Sequence, residues 1–313
     1  MSILVCGSMA YDNIMVFGDR FRNHILPEQI HILNVSFLVP ELRRDFGGCA
    51  GNIAYSLRLL GADPLIVATV GDDAADYRQR LGELGLRQDH VRHVPGTYTA
   101  QAFITTDADD NQITAFHPGA MMYSHQNDVR LARGAQLAIV SPDGRDGMLR
   151  HVEGLAGMGV PFVFDPGQAL PILSAAELLH CLDLARYCTV NDYEARLICD
   201  KTGLAIEALA AGVEALVVTR GGEGSYIYAD GGRIEVPAVP VDAVVDPTGC
   251  GDAYRAGLLY GISRDWDWLS CGRIAAVMGA LKIGHRGGQN HRPTRGEIEA
   301  AYRDAFGVAL RLD

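Results

Sequence analysis

The densest chemistry in the chain lies in Asp246-Pro247-Thr248-Gly249-Cys250-Gly251-Asp252, which leads into an apolar helical stretch through Ala256, Leu258, Leu259 and Ile262. A glycine-rich bend entering a helix turns free backbone amides toward one point, and the helix dipole adds positive potential there. The expected product is an anion hole that needs no lysine. Asp252 falls in the first turn beside it, where a carboxylate can take the proton of a hydroxyl attacking a phosphorus atom held by the amides. A purely electrostatic role at the helix start accounts for Asp252 alone. It accounts neither for the glycines nor for Asp246 ahead of them.

Four further groups have suitable types and spacing, each with a plainer reading beside it. Gly47-Gly48-Cys49-Ala50-Gly51-Asn52 pairs glycines that allow close backbone approach with an amide that both donates and accepts toward a sugar hydroxyl; a flexible turn before a helix reads the same way. Thr219-Arg220-Gly221-Gly222-Glu223-Gly224 follows an apolar run and can lay amides and a hydroxyl against phosphates, or simply close a hairpin. Asn191 and Glu194 share one helical face and can hold the water shell of Mg²⁺, or cap their own helix. Asp12, soon after the first apolar run, can accept hydrogen bonds from a vicinal diol or sit in a turn.

Placing these groups requires an alternation of strands and helices. Residues 3–6, 65–70, 137–140, 161–164, 187–190 and 215–219 are short apolar strand candidates, with helical segments between most of them and a helix predicted over 51–60. That order predicts an α/β fold with a mostly parallel sheet covered by helices. Residues 101–106 and 112–116 flank the turn-rich cluster 107–111 as a hairpin. Short β-like runs at 14–17, 32–33 and 36–39 complete a small β-sheet lid over 13–45 and 97–118, leaving 1–12, 46–96 and 119–313 to the α/β domain. Further β segments are expected over 225–245, and helices from about 250 to 306 with a turn-rich break at 284–293.

Composition narrows the partners. The 313 residues carry 38 acidic and 27 basic side chains, a formal net charge of −11, which disfavours nucleic acid and anionic membranes. No apolar stretch approaches the roughly 18 residues of a spanning helix, and residues 1–7 lack the pattern of a signal peptide, so a cytoplasmic location is expected. The seven cysteines have neither zinc-site nor disulfide spacing. Lys201 and Lys282 are the only lysines, and neither follows a glycine loop of the GxxxxGK[ST] kind, which removes a P-loop enzyme. Gly7-Ser8-Met9 does not supply the glycine pattern of a dinucleotide-binding turn.

The order of these motifs resembles the ribokinase-like (PfkB) carbohydrate and nucleoside kinases from about residue 3 to about 300, with residues 47–52 and 246–257 similar to the two signatures of that family. The resemblance implies an ATP-dependent kinase with Asp252 as general base and Gly249, Cys250 and Gly251 around the transferring phosphoryl group. It implies Asp12, Gly47, Gly48 and Asn52 on the sugar, Thr219, Gly221, Gly222 and Gly224 on ATP, and Asn191 with Glu194 on Mg²⁺ and phosphate, Glu194 through water. It also implies K⁺ beside Asp246 and Thr248, and a monomer or a homodimer paired through its lids. Ribokinases have asparagine where Ala10 stands and lysine where Cys49 stands. Their absence, with Phe37, Leu38, Phe103 and Phe116 in the lid to cover a flat base, makes the chain look most like bacterial adenosine kinases, which phosphorylate the 5′-hydroxyl. Broad nucleoside kinases and sugar kinases of the same family are the alternative.

Overall fold

The computed structural model describes residues 2–25, 34–109 and 111–312. In chain order the strands are β1 (Ser2–Cys6), β2 (Ala10–Val16), β3 (Glu41–Gly47), β4 (Asp63–Val70), β5 (Val91–His93), β6 (Ala100–Thr106), β7 (Gln112–His117), β8 (Ala135–Val140), β9 (Phe162–Phe164), β10 (Tyr187–Asn191), β11 (Ala215–Thr219), β12 (Ser225–Ala229) and β13 (Gly232–Val236). The helices are α1 (Cys49–Leu59), α2 (Ala75–Glu83), α3 (Arg145–Gly157), α4 (Ala175–Leu184), α5 (Asp192–Thr202), α6 (Ile206–Ala211), α7 (Cys250–Ile262), α8 (Trp268–Ile283) and α9 (Arg295–Phe306).

Nine strands form one sheet in the order β13-β12-β11-β10-β9-β8-β1-β4-β5, parallel throughout except for β12 and β13. Side chains alternate across it. Ile3 and Val5 enter the core shared with α1, α7 and α8, whereas Leu4 and Cys6 enter the opposite core against α3, α4 and α5. Both faces are therefore apolar, as a parallel sheet between helical layers requires. Each fully buried side chain such as Ile53 or Leu57 of α1 contributes roughly 1.5–3 kcal/mol. The chain runs outward from β1 through β4 and β5, then returns to β8 on the other side of β1. Strand order reverses there, and the crevice beyond the carboxyl ends of strands at such a point is where α/β sheets bind ligands.

The second sheet has the order β3-β2-β6-β7. Strand β2 is continuous from Ala10, so the change of sheet comes ahead of the boundary drawn at residue 13. Its edge partner is β3, with Asp12 opposite Asp45, and not residues 36–39, which form no strand. The Glu41-Leu42-Arg43-Arg44-Asp45 stretch is too charged to look like a strand, yet an edge strand tolerates charge on its open face. The predicted run at 32–33 and Asp110 of the turn lie outside the described residues. Residues 237–245 were also expected to be β and form no strand. Among the described residues, all seven cysteines are free and no helix is long and apolar enough to cross a membrane.

Candidate active site

Two helix starts meet at the switch point. Helix α7 begins at Gly249, whose φ of 76° is the left-handed conformation. A side chain there would also meet Gly288 Cα at 2.9 Å, so only glycine fits. Helix α1 begins at Gly48 (φ 85°), where a Cβ would fall 2.6 Å from Ala10 N and Ser8 O. Ser8 anchors that start, its hydroxyl accepting from Cys49 N at 3.1 Å and its carbonyl from Ala50 N at 2.9 Å.

Packing of α1 against α7 brings Asn52 to Asp252, with Asn52 Nδ2 donating to Asp252 Oδ2 at 2.8 Å. Gln289 Nε2 donates to Asn52 Oδ1 at 3.1 Å and to Tyr77 Oη at 2.7 Å, and Tyr77 donates onward to Gly47 O at 2.6 Å. Asn52 is buried with both ends of its amide committed. One amide hydrogen thus orients the Asp252 carboxylate, and among the described residues the second N–H of Nδ2 carries no such bond. Burial pushes the Asp252 carboxyl above its usual range, against the hydrogen bond from Asn52 and the charge of Arg255.

The amide of Cys250 closes a turn onto Pro247 O at 3.1 Å. Among the described residues, the Gly249 and Gly251 amides carry no hydrogen bond, and they are the uncommitted donors of the expected anion hole. The Cys250 N–H, placed by sequence with its neighbours around the phosphoryl group, is engaged in the bend in this structure. Its thiol is pushed up to about 11 by burial, so it is no ready nucleophile.

Asp12 faces the same crevice. A Cβ on Gly47 would lie 2.4 Å from Asp12 Oδ2, so Gly47 makes room for the carboxylate. Burial and the charges of Asp45, Asp252 and Asp246 push Asp12 up to about 6, while Arg43 opposes them.

Behind Asp252 sits an arrangement that no spacing announced. Arg255, buried on α7, pairs through Nε and Nη2 with Asp165, just beyond β9; the Nη2–Oδ1 distance is 2.7 Å. Its Nη1 donates to Gly251 O at 3.2 Å, and its Nη2 lies 3.9 Å from Glu194 Oε2. The one clue in the sequence was an arginine inside the apolar run that follows Asp252. Asn191 and Glu194 form a reciprocal capping box at the start of α5, with Asn191 Oδ1 accepting from Glu194 N and Glu194 Oε2 accepting from Asn191 N, both at 2.7 Å. Burial raises the Glu194 carboxyl, and Asp165 adds to the rise. Thr219 ends β11 directly beside Asn191. Gly221, Gly222 and Gly224 close the β11–β12 hairpin. Gly221 and Gly222 have open space where a side chain would stand, while at Gly224 a Cβ would meet Val236 O at 2.1 Å.

The expected aromatic cover is not assembled. Phe37 packs against Phe17 and Phe21 with ring centroids 4.8 and 5.1 Å apart. Phe103 and Phe116 lie exposed on β6 and β7, and Leu38 is exposed ahead of β3. Phe37 finds apolar partners within the lid first, which residue type alone does not reveal.

A monovalent cation beside Asp246 does not fit. The Asp246 carbonyl accepts from Lys282 Nζ at 2.7 Å. Asp246 Oδ1 accepts from Thr248 N at 2.9 Å, and Oδ2 from Gly287 N at 2.8 Å and Arg43 Nη2 at 3.3 Å. Burial works against the Asp246 charge, yet these amides and Lys282 hold its carboxyl below the usual range. A second unit charge about 4 Å from the ammonium would be repelled by about 4 kcal/mol at an effective dielectric constant of 20. Among the described residues, no group of three or more His, Cys, Asp or Glu side chains is placed to hold a metal.

The profile of the pfkB family carbohydrate kinases matches residues 12–295. The nucleoside kinase of Methanothermobacter thermautotrophicus is 32% identical, covering 97% of this chain and 96% of that protein. The nucleoside kinase of Burkholderia thailandensis in complex with inosine superposes with a TM-score of 0.91 at 55% identity, over 99% of each chain. Its ADP-inosine complex gives 0.89 at 56% identity, over 99% of this chain and 98% of that one. The fold is ribokinase-like.

Proposed function

The chain belongs to the pfkB family of carbohydrate kinases, and from that premise we propose that it is a nucleoside kinase transferring the γ-phosphoryl group of ATP to the 5′-hydroxyl of a purine nucleoside. The observation that carries the reading is Asp252 in the first turn of α7, held by Asn52 at 2.8 Å beside the uncommitted amides of Gly249 and Gly251. Asp252 takes the hydroxyl proton as the alkoxide oxygen attacks the γ-phosphorus, and ADP leaves. The amides stabilise charge building on the phosphoryl oxygens. Asp12 accepts the ribose diol, with Gly47 and Gly48 letting the backbone approach. Thr219, Gly221 and Gly222 meet the nucleotide. Asn191 and Glu194 would hold the water shell of Mg²⁺, which when bound would supply positive charge against the phosphate oxygens.

Adenosine was the acceptor expected from sequence. The relatives support the broader class: the B. thailandensis enzyme, 55% identical over nearly the whole chain, is described bound to inosine. The acceptor pocket therefore takes purine nucleosides, inosine and adenosine among them. The test is a panel of nucleosides and free sugars with Mg-ATP, following ADP release. Purine nucleosides should turn over and ribose should not; a panel in which only a hexose reacts defeats the acceptor assignment. Asp252→Asn should lower kcat by on the order of 10²–10⁴-fold. Unchanged turnover removes Asp252 as the base.

A further inference from the structure

Lys282 is one of two lysines in the chain and is 0% exposed. Burying an ammonium is expensive, so its partners must repay the lost water. Its Nζ donates to His285 O at 2.9 Å, as a lysine at a helix C-terminus commonly does. It also donates at 2.7 Å to Asp246 O, a carbonyl 36 residues away that opens the bend leading to the anion hole. The surroundings of that bond are built around the same joint. Val245 N and Asp246 N both donate to Ile283 O, at 3.0 and 3.1 Å. Gly287 N and Thr248 N hold the Asp246 carboxylate, and Gly249 lies against Gly288. The ammonium thus fastens residues 245–249 to the end of α8 at the point where an inorganic cation would otherwise gather the carbonyls.

We infer that Lys282 is a resident cation of this enzyme: a tethered ammonium holds the Asp246 carbonyl and with it the bend at Gly249, so that phosphoryl transfer needs no monovalent metal ion. Lys282 is a positioning residue, acting on the phosphoryl group only through the backbone from Asp246 to Gly251. The charge is intramolecular, so it cannot be diluted out or exchanged. The kinetic part of this inference rests on the kinase reading given above.

The experiment compares turnover and melting temperature in KCl and in tetramethylammonium chloride at equal ionic strength, for the unaltered protein, Lys282→Met and Lys282→Ala. The unaltered protein should give the same kcat and the same melting temperature in both salts. Lys282→Met keeps the packing and removes the charge; its kcat should fall roughly a hundredfold, the scale of a misplacement of about 1 Å at the reacting groups, with the KM for the nucleoside little changed. In Lys282→Ala, K⁺ or methylammonium should restore part of kcat where tetramethylammonium does not, a rescue that a merely structural lysine would not show. Activation or thermal stabilisation of the unaltered protein by K⁺ over tetramethylammonium overturns the inference. So does a folded Lys282→Met with normal kcat. If both variants fail to fold, the unaltered protein in the two salts still decides. Absence of ADP release from every acceptor would fell the kinase reading instead, while the melting comparison would still judge the ion.

Discussion

Asp12 should set the pH dependence of acceptor binding, while Asp252, also raised by burial, bears on the transfer step itself. Burial and three neighbouring carboxylates raise Asp12 to about 6, so around neutral pH it is ionised and can accept from a diol, and below that value a proton takes the place of the ligand. A raised carboxyl favours the protonated form. The stability it lends is therefore present at low pH and lost as pH rises through about 6, while acceptor binding runs the opposite way. The KM for the nucleoside should rise about tenfold per pH unit below about 6, whereas the KM for ATP stays level. Initial rates across that window check this; an acceptor KM that is flat down to pH 5 refutes it. Asp12→Asn should abolish the slope along with much of the affinity.

At the scale of elements, the Asp165–Arg255 pair joins the end of β9 to the first turns of α7 and keeps three carboxylates, Asp165, Glu194 and Asp252, from facing one another unshielded. Arg255→Met strands Asp165 in the interior and should cost about 3–5 kcal/mol, read by urea unfolding. Asp165→Asn combined with Arg255→Met should recover part of that loss, and strictly additive losses would show that the two are not coupled. The same pair marks how far sequence reading reached. The parallel strands, the helix after Asp252 and the glycine bend were legible because they rest on local periodicity and on left-handed conformations that favour glycine, as at Gly48 and Gly249. Asp165, Gln289 and Lys282 were not, because each acquires its meaning from a partner 36 to 237 residues away. Asn52 was singled out for its type as a sugar contact, and helix packing adds a partner that type did not announce, Asp252. Strand β3 was missed because its charges obey its open edge and its contacts with the core.

Across the whole molecule, the two sheets are linked by that charged strand. Arg43 reaches Asp246, and Arg44 lies 3.5 Å over the Tyr11 ring with Asp73 at 3.5 Å and Asp76 at 3.8 Å. Half-exposed pairs of this kind contribute about 0.2–1 kcal/mol each, enough to bias the position of a lid without locking it. Arg44→Gln should leave the melting temperature within about 2–4 °C of the unaltered protein. It should also raise ATP hydrolysis in the absence of acceptor relative to transfer, because a looser lid admits water. Raised salt should imitate the effect in the unaltered protein, and a hydrolysis ratio insensitive to both would detach Arg44 from the lid. The carboxylates gathered round Asp12 carry one more consequence. Asp45 and Asp246 share Arg43, which leaves Asp12 and Asp252 as the carboxylates that a neutral nucleoside meets without repulsion and a monophosphate, with about −1.5 to −2 charge at neutral pH, meets with it. Product should therefore bind more weakly than acceptor, and product-inhibition constants below the acceptor KM would refute this.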